Sequence, residues 1–248
     1  FYALTPISLL INNQKYLGGY SFLTMTHRKF SGQGIFSELA SKAFQKAKEK
    51  KYNFIVGFAN NTSFPLFINK FGFTELKSIN YLKINLTELV KNTSFKFTQN
   101  ISKNIKKILL SDVNKNNFSV YLEKNISYFD YRFNQHPLNK YYIFESNDLL
   151  FIFKKYKNEL QILEFFGQNE ADIYSKLLLV GNNLSKKLKC DYISLWIPKK
   201  HSLNQSMSST QNLSPHSFFI VKSLNPKIKN QISNINNWYY SMSDADVF

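Results

Sequence analysis

Cysteine is almost absent. Cys190 stands alone among 248 residues, which excludes an internal disulfide and fits a reducing, cytoplasmic compartment. No apolar run is long enough to cross a membrane. The four histidines, His27, His136, His201 and His216, are scattered, and no metal site is expected from them. Acidic residues are also scarce, 16 against 32 Lys and Arg, and the resulting net charge of +16 invites a polyanionic partner. The lysines run along the whole length instead of gathering into one arm, and they accompany abundant Asn, Ile, Phe and Tyr, a mixture that AT-rich coding produces. A basic RNA- or DNA-binding protein is therefore kept only as an alternative. With 44% apolar residues the chain can bury one large core or two small ones.

The informative stretch is Thr26-His27-Arg28-Lys29-Phe30-Ser31-Gly32-Gln33-Gly34-Ile35-Phe36. Before it, Tyr16 to Met25 reads as a strand. After it, Ile35, Leu39, Ala43, Phe44 and Ala47 recur at helical spacing, and the helix is expected to end near Lys51. Tyr52 to Phe58 reads as a second, more buried strand. Gly32 and Gly34 can take backbone angles closed to other residues, and the first turn of the helix offers unpaired N–H groups and a positive dipole end. Strand, glycine turn and helix together make a phosphate cradle. Downstream, Asn60 to Pro65 leads into a short helix stopped by Gly72, and Ile79 to Leu86 reads as a strand. The chain opens on Phe1, partway into a strand, so a preceding N-terminal segment is expected.

These residues resemble the GCN5-related N-acetyltransferases, whose acetyl-CoA loop has the form Arg/Gln-x-x-Gly-x-Gly/Ala after a strand. Gly34 takes the central glycine, Gly32 and Gln33 the positions often filled by Gly-Lys, and Lys70-Phe71-Gly72-Phe73 resembles the family's Lys-x-Gly-Phe ending. Ser31 stands where Arg or Gln is usual and Phe36 where a small residue is usual, so the cradle should be less cationic and more crowded. Arg28 and Lys29 are expected to supply the missing charge to the cofactor phosphates. The resemblance implies that Met25, Thr26 and His27 pair through their backbone with the pantetheine arm of acetyl-CoA or another acyl-CoA. It also implies that Asn60 and Ser63 contact the cofactor near a splay between two strands. The other reading of Asn60 is a turn or helix-capping residue.

Direct attack of an amine on the thioester needs a neutral nucleophile, N–H donors for the oxyanion and an acid for the thiolate. The resemblance implies a Tyr acid four residues before the Gly-Phe pair, where this chain has Ile68, and a Glu base on the strand before the loop, where Tyr16 to Thr26 contains no carboxylate. Two bases are candidates. His27 sits beside the cradle and carries the side chain that exchanges protons near neutral pH. Glu164 lies in the apolar run Leu160 to Phe166, where desolvation would suit general-base work. A catalytically inactive scaffold is the alternative.

Residues 84–117 are rich in Asn, Lys, Ser and Thr, with one helix expected around Ile101 to Leu110. Beyond them come strands Leu149 to Lys154 and Glu159 to Phe166, a helix Ala171 to Lys187 and a strand Tyr192 to Ile197, the first domain's order without its glycine loop. This resembles the second lobe of tandem proteins of the same type, opened by Tyr131-Arg132-Phe133 with Pro137 and Tyr141, and closed by Trp238-Tyr239-Tyr240 with Asp244-Ala245-Asp246-Val247-Phe248. The resemblance implies that this lobe binds no CoA and helps to recognise the acceptor. Arg132 could clamp a carboxylate or phosphate, and Tyr141, Trp238, Asp244 and Asp246 could hold sugar hydroxyls or an ammonium group. The expected fold is α+β, two lobes that each hold a mixed, mostly antiparallel sheet flanked by helices, divided as 1–90, a connection 91–117, and 118–248. The expected activity is acyl transfer, in a ternary complex, to the primary amine of a small acceptor such as an amino sugar of surface polysaccharide.

Overall fold

The computed structural model describes the chain apart from residues 78, 87–93, 103–104, 106–107, 110–114, 207–209, 214–216 and 246–248. The chain forms two compact units, neither contiguous in sequence. The first holds Phe1–Ile79, Phe118–Glu123 and Pro215–Trp238, the second Asn80–Asn117, Lys124–Ser214 and Tyr239–Phe248. This differs from a division at residues 90 and 118, and strand pairing is the reason. The strand predicted over Ile79 to Leu86 forms as β5 (Tyr81–Asn85) and pairs within the second unit, whereas β12 (Phe218–Ser223), late in the chain, pairs within the first.

The first unit opens with β1 (Ala3–Ile11) and β2 (Gln14–Phe22), joined by Asn12 and Asn13, both in left-handed backbone as a tight hairpin turn requires. Helix α1 (Ile35–Glu49) then crosses to β3 (Phe54–Ala59), which lies parallel to β2. Helix α2 (Phe64–Asn69), β4 (Thr74–Glu75), β6 (Val120–Leu122) and β12 complete a sheet ordered β4-β12-β3-β2-β1-β6. Ala40, Phe44 and Ala47 on one stripe of α1 pack with Ile55, Ala59, Phe67, Phe71, Phe73 and Ile220, as the helical spacing predicts. Lys222 on β12 reaches back to donate to the Phe71 carbonyl just past α2, where helical carbonyls lack partners.

In the second unit the sheet order is β11-β5-β10-β9-β8-β7, built from β7 (Tyr141–Glu145), β8 (Leu149–Tyr156), β9 (Glu159–Gly167), β10 (Tyr192–Trp196), β11 (Thr210–Leu213) and β5. A short helix α3 (Ile126–Phe129) runs into a π turn, Asp130–Asn134, ahead of β7. Helix α4 (Glu170–Leu188) links the parallel strands β9 and β10 and lays Ile173, Leu177, Val180 and Leu184 onto Phe151, Phe153, Leu160, Ile162, Ile193 and Leu195. Each sheet is therefore mixed, one parallel pairing among antiparallel ones, which is the expected α+β class. Half of the helix predicted over Ile101 to Leu110 lies outside the described residues, although Ile101, Ile105 and Ile108 are buried.

His201 is buried between the rings of Phe165 and Tyr239, at centroid distances of 5.8 and 6.1 Å, and its Nδ1 accepts the Leu203 N–H. Burial pushes its pKa down from 6.5 to about 4. The folded state therefore resists a proton that the unfolded chain takes readily, so this contribution is whole above pH 6.5 and is lost as pH falls from there toward 4. Urea unfolding at pH 8 and pH 5 should show the native chain losing about 2 kcal/mol more than a His201→Phe variant. Equal losses in the two chains would remove His201 as the titrating group.

Candidate functional site

In the first unit β2 and β3 run together only from Gly19↔Ile55 to Ser21↔Gly57, after which their paths separate. A Cβ on Gly57 would stand 2.8 Å from the Ser21 carbonyl oxygen, so only glycine lets the strands meet at this last rung. Beyond it, Leu23 takes a left-handed φ of 50° and ends the β2 ladder, so the strand stops at Phe22 and not at the predicted Met25. Residues Leu23 to His27 continue with exposed or half-exposed side chains and no strand partner, Met25 excepted, whose N–H bonds to the Phe1 carbonyl.

The loop then closes on itself. A 3-10 turn covers Arg28–Phe30, His27 Nδ1 accepts the Lys29 N–H, and the Gln33 side chain donates to the Lys29 carbonyl. Gly32 and Gly34 have φ of 81° and 77°, and nothing lies within 4 Å of a Cβ built on either. These glycines are required by backbone angle, and they leave open space for a ligand. Gly34 is the N-cap of α1 and gives it no side-chain hydrogen bond, so the first-turn N–H groups keep their donors. Arg28, Lys29, Ser31 and Gln33 are exposed beside them. The only first-turn acid, Glu38, is paired with Lys42 at 2.6 Å.

The corresponding helix of the second unit has the opposite character. Asn169 caps α4 by accepting the Ala171 N–H, and Glu170 and Asp172 occupy the first turn, which satisfies the donors and repels phosphate. Side-chain capping is thus present at α4 and absent at α1.

Other predicted site residues fall out unevenly. Ile35 and Phe36 begin α1, but the Phe36 ring turns inward onto Tyr2, Phe67 and Phe71 at 5.6 to 6.0 Å, so it packs the core and does not crowd the cradle as expected. Asn60 Oδ1 accepts from Thr62 N–H, Ser63 N–H and Ser63 Oγ, which makes it the turn-forming residue ahead of α2.

In the second unit, Glu164 is fully buried. Its Oε1 receives Lys124 Nζ, Ser241 Oγ and Ser243 Oγ, and Lys124 lies 2.7 Å from Asp244 Oδ1. Asp244 Oδ2 accepts the Ser241 N–H, and Tyr128 donates to the Ser243 carbonyl. Two carboxylates against one ammonium leave excess negative charge in a dry place. Burial holds the Asp244 carboxyl above its usual range, with Glu164 adding to this and Lys124 opposing it. For Lys124 burial acts downward, but Asp244 and Glu164 outweigh it and the ammonium is held above the usual lysine range. Burial likewise pushes the Tyr128 hydroxyl up to about 12. A carboxylate closed into this cluster has no open face toward an acceptor, which argues against Glu164 as a base. Lys124, which ties it, was not singled out by sequence, because nothing local marks its partners 40 and 120 residues away.

The opening and closing motifs of the second lobe do meet. Arg132 donates to the Ala245 carbonyl at 3.0 Å, and Tyr141 is buried beside Phe133. Asp246 lies outside the described residues. Trp238 falls in the first unit, where its indole N–H bonds the Ile232 carbonyl and its ring meets Phe219, so it serves that core and not the acceptor residues.

No protein-family model and no curated protein matches the sequence. Solved structures do. A GCN5-related N-acetyltransferase from Anabaena variabilis superposes with a TM-score of 0.65 at 12% identity, covering 90% of this chain and 59% of its own. One from Kribbella flavida gives 0.64 at 8% identity, covering 90% and 56%. The Saccharomyces cerevisiae N-myristoyltransferase with bound myristoyl-CoA gives 0.58 at 9% identity, covering 93% and 71%. The chain spans less than two thirds of the length of the first two. These likenesses show the fold: the chain has the fold of the GCN5-related N-acetyltransferases, in a two-lobed form. Among the described residues no helix is long and apolar enough to cross a membrane.

Replacing Lys124 with Met should destabilise the chain by about 3–5 kcal/mol, because it strands two buried carboxylates. Urea unfolding at pH 7 measures this. A loss below about 1 kcal/mol would mean the cluster holds nothing together.

Proposed function

We propose that the protein is an N-acyltransferase that moves an acyl group from acyl-CoA to a primary amine of a small acceptor. One observation carries this reading: an α1 N-terminus without a side-chain cap, preceded by two left-handed glycines in open space, ends the loop that leaves β2 just past its last pairing with the parallel strand β3. The backbone N–H groups of Gly32 to Phe36 would hold the diphosphate, with Arg28 and Lys29 as counter-charges and Ser31 and Gln33 flanking it. The segment Met25, Thr26 and His27, outside the β2 ladder, would line the pantetheine arm, and Asn60 and Ser63 would bound the opposite arm of the splay. Neighbours of the same fold are named as acetyl- and myristoyltransferases, which supports a CoA thioester as donor; acetyl-CoA is the donor proposed.

In the reaction the amine nitrogen bonds to the thioester carbonyl carbon, the C–S bond breaks, and the nitrogen's proton passes to the leaving thiolate. With Glu164 held in its cluster, His27 is the base candidate that stands on the cradle itself. Arg132 and Tyr141 remain the proposed acceptor contacts, and Asp244 is bound into the buried cluster. An amino sugar of surface polysaccharide is the acceptor proposed. The lone, buried Cys190 suits a reducing, cytoplasmic setting. A second reading, CoA binding without turnover, is favoured by Ile68 in the expected acid's place and by the closure around Glu164.

Calorimetric titration with acetyl-CoA tests the cradle. Gly34→Val forces a β-branched residue into φ 77° and should weaken binding at least about tenfold, while circular dichroism reports an intact fold. No heat from the native chain with either CoA or acetyl-CoA would overturn the proposal. Tight CoA binding with no thiol released over a panel of amines would select the second reading.

A further inference from the structure

We infer that Tyr2 is the acid of the proposed transfer: its hydroxyl, held beside the parting of β2 and β3, gives its proton to the sulfur of the leaving thiolate. The placement comes from the first unit alone. The Tyr2 and Ser21 hydroxyls share a hydrogen bond of 2.8 Å, and Ser21 is the residue of β2 paired with Gly57 at the last rung before the strands separate. The Tyr2 ring stands edge-on to Phe36, in the first turn of α1, at 5.6 Å and to Phe44 at 5.8 Å, and it meets Phe67 of α2 at 6.5 Å. Its backbone is fixed from the other side. The Phe1 nitrogen donates to the Met25 carbonyl at 2.8 Å, and the Met25 N–H donates to the Phe1 carbonyl at 3.1 Å. Tyr2 thus follows directly on a residue tied to the segment proposed for the pantetheine arm, and its ring packs against both helices.

The hydroxyl pair suits a donor. Either oxygen of such a pair can give the proton, and when Ser21 donates, the Tyr2 proton is left for a second acceptor. Burial, opposed in smaller measure by the Ser21 bond, holds the Tyr2 hydroxyl above the usual tyrosine range, so at neutral pH it is a phenol and not a phenolate. Ile68, in the place expected of the acid on α2, packs on the same apolar cluster as Tyr2, so the hydroxyl reaches that cluster from the residue before β1 instead. In the transfer the tetrahedral centre collapses, the C–S electron pair goes to sulfur, and sulfur takes the Tyr2 proton. The proton that the nitrogen loses, taken up by the base, returns to the phenolate, so Tyr2 ends as it began. The assignment rests on the N-acyltransferase reading.

Tyr2→Phe tests this, because it keeps the ring and its packing and removes only the hydroxyl. The native chain and the variant are each saturated with CoA, as followed by calorimetry, and the bound thiol is titrated by its thiolate absorbance against a CoA-free blank of the same chain. A hydroxyl that donates to sulfur favours the thiolate, so at a pH where little thiol is ionised the native chain should hold at least about tenfold more thiolate than Tyr2→Phe. Tyr16→Phe, whose hydroxyl bonds Gln14 instead, should behave as native. With acetyl-CoA, kcat should fall about 100-fold in Tyr2→Phe, while CoA affinity changes less than about fivefold. Equal thiolate fractions or equal kcat in the two chains, with CoA bound to both, overturns the assignment and leaves the transferase reading standing. A native chain that binds no CoA overturns both.

Discussion

Backbone hydrogen bonding at the Ser21–Gly57 rung is the constraint on which the first unit's functional geometry depends. Strands locked in a sheet have no donors to spare. Here β3 leaves β2 to continue along β12, and Leu23 turns out of register, so the residues that follow carry amides and carbonyls with no ladder to join. The missing side chain at Gly57 makes the strands meet closely enough that their separation is abrupt. A chain with an alanine there would have to open the rung itself, since its Cβ would stand 2.8 Å from the Ser21 carbonyl oxygen.

The same strand–helix–strand plan occurs twice with opposite electrostatic outcomes, and the difference lies in three or four residues at each helix start. Gly32 and Gly34 give up side chains and accept left-handed backbone, which leaves the α1 donors bare. Asn169, Glu170 and Asp172 satisfy and neutralise the α4 terminus from within. Fold alone therefore does not determine where an anion can sit; capping chemistry does.

Local features were legible in the sequence, because they are written in neighbouring residues. The glycine turn, the stripe of α1, the run of β9 and the span of α4 all follow from spacing, and they form within a residue or three of where the pattern puts them. What escaped were pairings between distant segments. Nothing near Phe218–Ser223 announces that it will pair with a strand some 160 residues earlier, and nothing near Tyr81 shows that its strand leaves the first unit. Phe36 could be placed on the helix but not on a face of the cradle, since its inward turn is decided by the rings of Phe67 and Phe71. Lys124 was silent for the same reason.

Glu164 shows how such a long-range contact changes chemistry. An acid between large apolar residues can be a poised base only if its proton traffic has somewhere to go. Lys124 converts it into half of an ion pair, two serine hydroxyls fill the rest of Oε1, and these bonds, set against the cost of desolvation, pin the closing segment Ser241 to Asp244 onto β9. The carboxylate thereby secures the segment whose Ala245 carbonyl holds Arg132. The chain of effect is indirect: a buried charge cluster fixes the backbone, and the backbone orients a guanidinium.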